Sequence, residues 1–160
     1  MSSPVDWMNY SIRSAPRGIY QERIVIRGIN HLTLAVADIE RSFAFYRDVL
    51  SLQPIAKWPR GAYLLAGDMW IALVVDPTVR TQPLPEYTHI AFSVAAEQFA
   101  TLSAAIRAAN APIWQDNWTE GDSLYFVDPD GHKLEIHASD LATRLGTAKA
   151  QPWEGLEFFV

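Results

Sequence analysis

The sequence predicts an α+β fold made of two copies of one unit, whose sheets form a cupped, mixed surface. Three observations carry this. A run of strand, helix and further strands occurs twice along the 160 residues, at an offset of roughly 60. The segment Asn30-His31-Leu32-Thr33-Leu34-Ala35-Val36 lines up with Thr88-His89-Ile90-Ala91-Phe92-Ser93-Val94. In both, and in Gly131-His132-Lys133-Leu134-Glu135-Ile136-His137, a strand period of two sets isolated polar side chains against an apolar face. Two such units can cover their apolar faces with helices and turn the polar residues into a shared hollow.

Taken in order, residues 1–26 have no clear period and mix Ser, Pro, Arg and aromatic residues, which predicts an arm. Trp7, Met8, Tyr10 and Ile19 are apolar enough for part of it to pack on the body or on a neighbour. The first strand carries His31 and Thr33 on one face and Leu32, Leu34 and Val36 on the other. Asp38 offers an N-cap, and Ile39, Phe43, Tyr46 and Leu50 follow on one helical stripe that ends near Ser51. Residues 61–65 and 69–75 read as two strands joined by the Gly67-Asp68 turn. Residues 76–86, with three prolines, form a linker.

In the second copy His89 stands opposite Ile90, Phe92 and Val94. The next helix buries Phe99, Leu102 and Ile106, and Asn110 and Pro112 stop it. After a polar loop, residues 117–122, come strands at 123–127 and 131–137 joined by the Asp128-Pro129-Asp130-Gly131 turn. Residues 140–149 read as a short final helix, and the end of the chain is aromatic and irregular.

Glu135 is the residue that asks for an explanation. An unpaired charge in a strand otherwise fit for a core costs several kcal/mol, so it needs a partner. A lone strand histidine is commonly a satisfied core or rim residue. Two of them, His31 and His89, at matching positions of a repeat and joined by one carboxylate, are the ligand set of a divalent metal with open positions. His132, in the turn, and His137, near a strand end, read as structural, and Asp128 and Asp130 read as shaping the turn.

Composition bounds the partners. A formal charge of −5 without any Lys/Arg run argues against nucleic acid. No apolar run approaches the roughly 18 residues of a membrane span, and the N-terminus lacks a signal-peptide pattern. There is no cysteine, which excludes disulfides and a thiol nucleophile of the chain's own and points to the cytoplasm. Any sulfur chemistry has to come from a co-substrate.

At these residues the chain resembles the vicinal oxygen chelate (glyoxalase/bleomycin resistance/dioxygenase) superfamily. Within it, the chain is similar to the manganese-dependent glutathione transferases that inactivate fosfomycin. The resemblance runs from about residue 27 to the C-terminus. It rests on Asn-His-Leu-Thr-Leu-Ala-Val at 30–36, Tyr-Thr-His at 87–89, Glu-Gly-Asp-Ser-x-Tyr-Phe at 120–126 and Asp-Pro-Asp-Gly-His-Lys-Leu-Glu at 128–135, in the family's order.

The resemblance implies paired βαβββ modules, one at about 27–80 and one at about 84–145, with a tail at 146–160. It also implies a module-exchanged homodimer, in which each metal site takes His31 from one subunit and His89 and Glu135 from the other. Mn2+ or another divalent ion would sit there, with K+ at Asn117, Thr119, Gly121 and Ser123. Thr33, Thr119, Tyr125 and Arg144 match phosphonate-binding groups, Tyr63 matches a residue beside the glutathione sulfur, and Trp70 matches a pocket wall. Thr33 and Tyr63 are the expected catalytic residues.

Hydrolytic relatives carry a glutamate base near this point. Residues 63–70 hold none, so a thiol is the expected nucleophile. Where the family usually has a lysine on the phosphonate this chain has Gln115, and Trp118 replaces a nearby arginine. A charge-assisted contact of that kind is worth about 1.5–3 kcal/mol, so its loss implies weaker fosfomycin turnover or a less anionic substrate. The implied activity is opening of the epoxide of fosfomycin or a related small epoxide, conferring antibiotic resistance. The same superfamily also offers an Fe(II)-dependent extradiol-type dioxygenase and a non-catalytic antibiotic-binding cup.

Overall fold

The computed structural model describes residues 26–159. The expected arm at 1–26 lies almost wholly outside them. Residues 29–153 form one unit, and the remaining described residues, 26–28 and 154–159, belong to a second and carry no regular element. Among the described residues no helix is long and apolar enough to cross a membrane.

The first module opens with β1, His31–Val36. Asp38 caps the helix α1, Ile39–Ala44, by accepting a bond from the Arg41 N–H at 3.0 Å. The helix then widens into a π-helical turn, Phe45–Val49, closed by the Leu50 N–H on the Phe45 carbonyl. The predicted stripe Ile39, Phe43, Tyr46 and Leu50 is buried, and the wider turn brings Phe45 inward as well. Ser51, at φ 58°, ends the run.

Three strands follow: β2 at Gln53–Trp58, β3 at Gly61–Ala66 and β4 at Met69–Val75. The sheet order is β1-β4-β3-β2, with β1 parallel to β4 and the other pairs antiparallel. β2 was not expected from its own residues. It is an edge strand with every position exposed, so it has no apolar alternation to read, and Pro54 sits where an edge tolerates it.

The second module repeats the plan with β5 at Ile90–Ser93, α2 at Ala96–Ala108, β6 at Ile113–Gln115, β7 at Ser123–Val127 and β8 at Lys133–His137. Its order, β5-β8-β7-β6, matches the first sheet position for position. β6 is three residues long and likewise carries no readable period. The last helix, α3, spans Leu141–Ala150 and so passes residue 145; Asp140 caps it through the Thr143 N–H at 2.8 Å. Each module is therefore β-α-β-β-β, the α+β architecture the sequence predicts.

One core serves both modules. Leu34, Val36, Leu64, Ile71 and Leu73 from the first sheet join Leu124, Phe126, Leu134 and Ile136 from the second, and Ile106 of α2 belongs to the same cluster. Each fully buried side chain of this size contributes about 1.5–3 kcal/mol. Because these residues occupy one face of each sheet, His31, Thr33, Tyr63 and Trp70 stand on the opposite face of the first, and Tyr125, Glu135 and His137 on that of the second.

The β7–β8 turn fastens the two modules together. Asp128 Oδ1 accepts from the N–H groups of Asp130 and His132, shaping the turn as predicted. Its other oxygen takes the Tyr46 hydroxyl at 2.7 Å. Asp130 accepts from the Ala37 N–H, Arg41 and Ser42, and His132 Nε2 donates to the Ala35 carbonyl at 2.8 Å. Gly131, at φ 87°, permits the tight reversal. Burial pushes Asp128 above its ordinary pKa, and burial together with the Asp128 charge pushes the Tyr46 hydroxyl far up.

Candidate active site

The pairing of three strands assembles the centre of the site. Parallel pairing sets Ala91 beside Glu135 and Ser93 beside His137, while antiparallel pairing sets Tyr125 beside Glu135 and Ser123 beside His137. The small side chains on β5 leave room over Glu135, whose side chain is 8% exposed. His89, just before β5, reaches into that room until its Nε2 is 3.0 Å from Glu135 Oε2.

The other nitrogen decides what this contact means. His89 Nδ1 lies 3.0 Å from the Tyr87 carbonyl oxygen, an acceptor, so Nδ1 carries the proton. Nε2 therefore faces a carboxylate oxygen, and what holds two such atoms 3.0 Å apart is a cation between them, a proton or a metal ion. An imidazole nitrogen and a carboxylate oxygen are donors a divalent ion takes, and a pair this close could both reach one. The pair fits a divalent metal. Rings of Tyr87, Trp114 and Tyr125 surround the imidazole at 5.0, 5.7 and 5.8 Å between centroids.

The pair opens on a cavity of about 480 Å³ that Thr119, Glu120, Tyr125 and Arg144 also line. Arg144 Nη1 is bonded to Glu120 Oε2 at 2.7 Å, and its guanidinium lies 5.6 Å over the Trp153 ring. Glu120 is held below the usual carboxylate range, first by its own backbone N–H and then by Arg144. Burial pushes the Tyr125 hydroxyl up. Gln115, the cross-strand partner of Tyr125, donates to the Tyr87 hydroxyl at 3.2 Å.

In the loop at 117–121, Asn117 Oδ1 accepts from the backbone N–H and the hydroxyl of Thr119, and Asn117 Nδ2 donates to the Gly121 carbonyl at 2.9 Å. Ser123 Oγ lies apart from these, on Glu135 and His137.

The first module repeats the histidine arrangement. His31 Nδ1 is 2.8 Å from Asn30 Oδ1, which leaves its Nε2 for a second partner as well. Its ring packs 4.5 Å from Trp70, its partner across the β1–β4 pairing, and Tyr63 stands edge-on to Trp70 at 5.0 Å. The Trp70 indole N–H is buried without an acceptor. Thr33 and His89 together border a second cavity, of about 330 Å³, roofed by Arg80 and Leu84.

The predicted residues thus fall into two groups: His89, Glu135, Thr119, Tyr125, Ser123 and Arg144 in one module, and His31, Thr33, Tyr63 and Trp70 in the other. Within the single chain His31 does not join the other two ligands, and among the described residues no three His, Asp or Glu side chains are grouped closely enough to hold a metal. Two contributors were not foreseen. Tyr87 fixes the His89 tautomer through its backbone, which no side-chain pattern announces. His137 is not a bystander at a strand end: it lines the cavity and contacts Ser123 and Glu135. Its place on the Glu135 face was readable from the period of two.

Comparison with known proteins identifies the family. Residues 28–136 match the Glyoxalase/Bleomycin resistance protein/Dioxygenase superfamily. The chain belongs to that superfamily. Among its members, the glutathione transferase FosA of Serratia marcescens is 45% identical over 136 residues, covering 84% of this chain and 96% of that protein. The metallothiol transferase FosB of Shouchella clausii is 37% identical over 126 residues, 76% of this chain and 86% of that one.

Among solved structures, a mutant of the fosfomycin resistance protein FosX of Listeria monocytogenes, complexed with Mn(II) and 1S,2S-dihydroxypropylphosphonic acid, aligns with a TM-score of 0.66 at 29% identity. It covers 76% of this chain and 98% of that one. FosX of Mesorhizobium loti gives a TM-score of 0.63 at 30% identity, over 75% and 98% of the two chains.

Proposed function

We propose that this vicinal oxygen chelate protein inactivates fosfomycin as a metal-dependent thiol transferase, with Mn2+ as the metal and glutathione as the thiol. The observation that carries the reading is His89 Nε2 held 3.0 Å from a Glu135 oxygen at the edge of a cavity that also holds Arg144. The likeness to FosA favours glutathione, since that relative is a glutathione transferase. His31 of a second chain is the third ligand in this reading. When bound, the metal supplies Lewis acidity to the epoxide oxygen as it gains negative charge.

The chain's own residues do the rest. Arg144 leaves Glu120 and pairs with the phosphonate, helped by the hydroxyls of Thr119 and Tyr125; Thr33 of the other module completes the set. The rings of Tyr87, Trp114 and Tyr125 pack edge-on to one another beside His89 and limit how its imidazole can turn. Tyr63, beside Trp70 on the first sheet, orients the thiol and accepts its hydrogen bond. The thiolate sulfur forms a bond to an epoxide carbon, the C–O bond breaks, and the oxygen takes up a proton. No glutamate is present at 63–70 to activate water in its place.

Potassium belongs to the same reading. Asn117, Thr119 and Gly121 gather the hard oxygen donors such an ion takes, but these oxygens are engaged with one another, so binding has to open the contact between Asn117 Nδ2 and Gly121.

The test is glutathione consumption by protein loaded with Mn2+, with and without fosfomycin and K+. Fosfomycin-dependent loss of the free thiol, greater with K+, is expected. Protein that binds Mn2+ yet consumes no glutathione contradicts the assignment of substrate and thiol.

A further inference from the structure

His137 has no part in the chemistry above, yet its contacts are ordered. Ser123 Oγ lies 2.7 Å from Glu135 Oε1 and 2.6 Å from His137 Nδ1. A hydroxyl has one proton to give, and an ionised carboxylate only accepts, so the Ser123 proton goes to Glu135. The contact to His137 then runs the other way, from Nδ1–H to Oγ. Were Ser123 to donate to His137 instead, its lone pairs would face Glu135 Oε1 at 2.7 Å, acceptor against acceptor.

Strand register builds this chain of bonds. Ser123 is the cross-strand partner of His137, and Glu135 is on the same face of β8, two residues earlier. The result is a fixed relay, His137 Nδ1–H to Ser123, then Ser123 O–H to Glu135 Oε1, with Oε2 left for His89. Nδ1 is also 3.4 Å from Oε1 itself, longer than an ordinary hydrogen bond, so Ser123 carries the contact.

We propose that His137 is a positioning residue of the metal centre, holding Glu135 through Ser123 so that Oε2 is the oxygen presented beside His89. This rests on the reading of His89 and Glu135 as metal ligands. Carboxylates that bind metals depend on the groups that orient them, and removing such a group weakens metal affinity about 10–100-fold. The imidazole itself does not have to touch metal or substrate.

The experiment measures Mn2+ binding to metal-free protein from the electron paramagnetic resonance signal of the free ion, in potassium-free buffer, with melting curves to confirm folding. His137→Phe, which keeps a ring and loses the donor, is expected to weaken Mn2+ binding about 10–100-fold. His137→Asn, which keeps an N–H near Nδ1, is expected to restore most of it. The double variant S123A/H137F is expected to bind no more weakly than S123A alone, because His137 acts through that hydroxyl.

Binding by His137→Phe within about twofold of wild type overturns the proposal, as does a loss that adds in full to that of S123A. Should His137→Phe fail to fold, S123A against S123A/H137L, which also lacks the donor, decides: equal affinities support the relay and a further loss overturns it. Wild-type protein that binds no Mn2+ overturns the metal reading, and this inference with it; Mn2+ binding that ignores His137 overturns this inference alone.

Discussion

The imidazoles of His31 and His89 owe their chemistry to their second nitrogens. Each Nδ1 is spent on a neighbouring oxygen, Asn30 Oδ1 in one case and the Tyr87 carbonyl in the other, which leaves Nε2 for a second partner in both copies of the repeat, Glu135 in the case of His89. The faces of these residues were legible in the sequence because a strand has a period of two and their neighbours are plainly apolar. Their hydrogen bonds were not, since a tautomer depends on backbone and side-chain atoms placed by the fold.

Gln115 belongs at this scale. It donates to Tyr87 and brings no charge to the cavity side, where the family resemblance leads one to expect a lysine. Gln115→Lys is expected to lower the KM for fosfomycin about 10-fold or more, the equivalent of one charge-assisted contact. Steady-state kinetics at fixed glutathione read it, and an unchanged KM removes Gln115 as the cause of any weak turnover.

Elements with a buried face were readable, and those without one were not. β1, β3, β4, α1, β7 and β8 all send alternating or helically spaced side chains into the core. β2 exposes every residue and β6 has only three, so neither leaves a hydrophobic signature, and pairing with β3 and β7 alone makes them strands. The turn after β7 shows a further limit. Asp-Pro-Asp-Gly announces a reversal, but nothing local says that Asp128, Asp130 and His132 reach 82 to 97 residues back to Tyr46, Ser42 and Ala35.

That turn ties the end of β1 to the start of β8, the two strands that carry His31 and Glu135. Tyr46→Phe deletes one hydroxyl and leaves Asp128 buried with one bond fewer. The expected loss is about 1–3 kcal/mol of stability, read from urea unfolding with an unchanged m value. A change below about 0.5 kcal/mol contradicts the fastening role.

On the scale of the whole molecule, repetition has a functional consequence. Each module offers half of a site: one imidazole with an aromatic wall on the first, an imidazole and a carboxylate with an arginine on the second. Among the described residues of one chain these halves do not form one metal group, so the proposed site needs two chains, each lending its His31 to the other's His89 and Glu135.

Complementation tests this most directly. His31→Ala and Glu135→Gln, each inactive alone, are mixed after denaturation and refolded together, and fosfomycin-dependent glutathione loss is measured. In a mixed dimer one site has lost both residues and the other is wild type throughout. Equal mixing should therefore restore about a quarter of wild-type activity, half the dimers carrying one intact site of two. A mixture as inactive as its components would contradict the shared site.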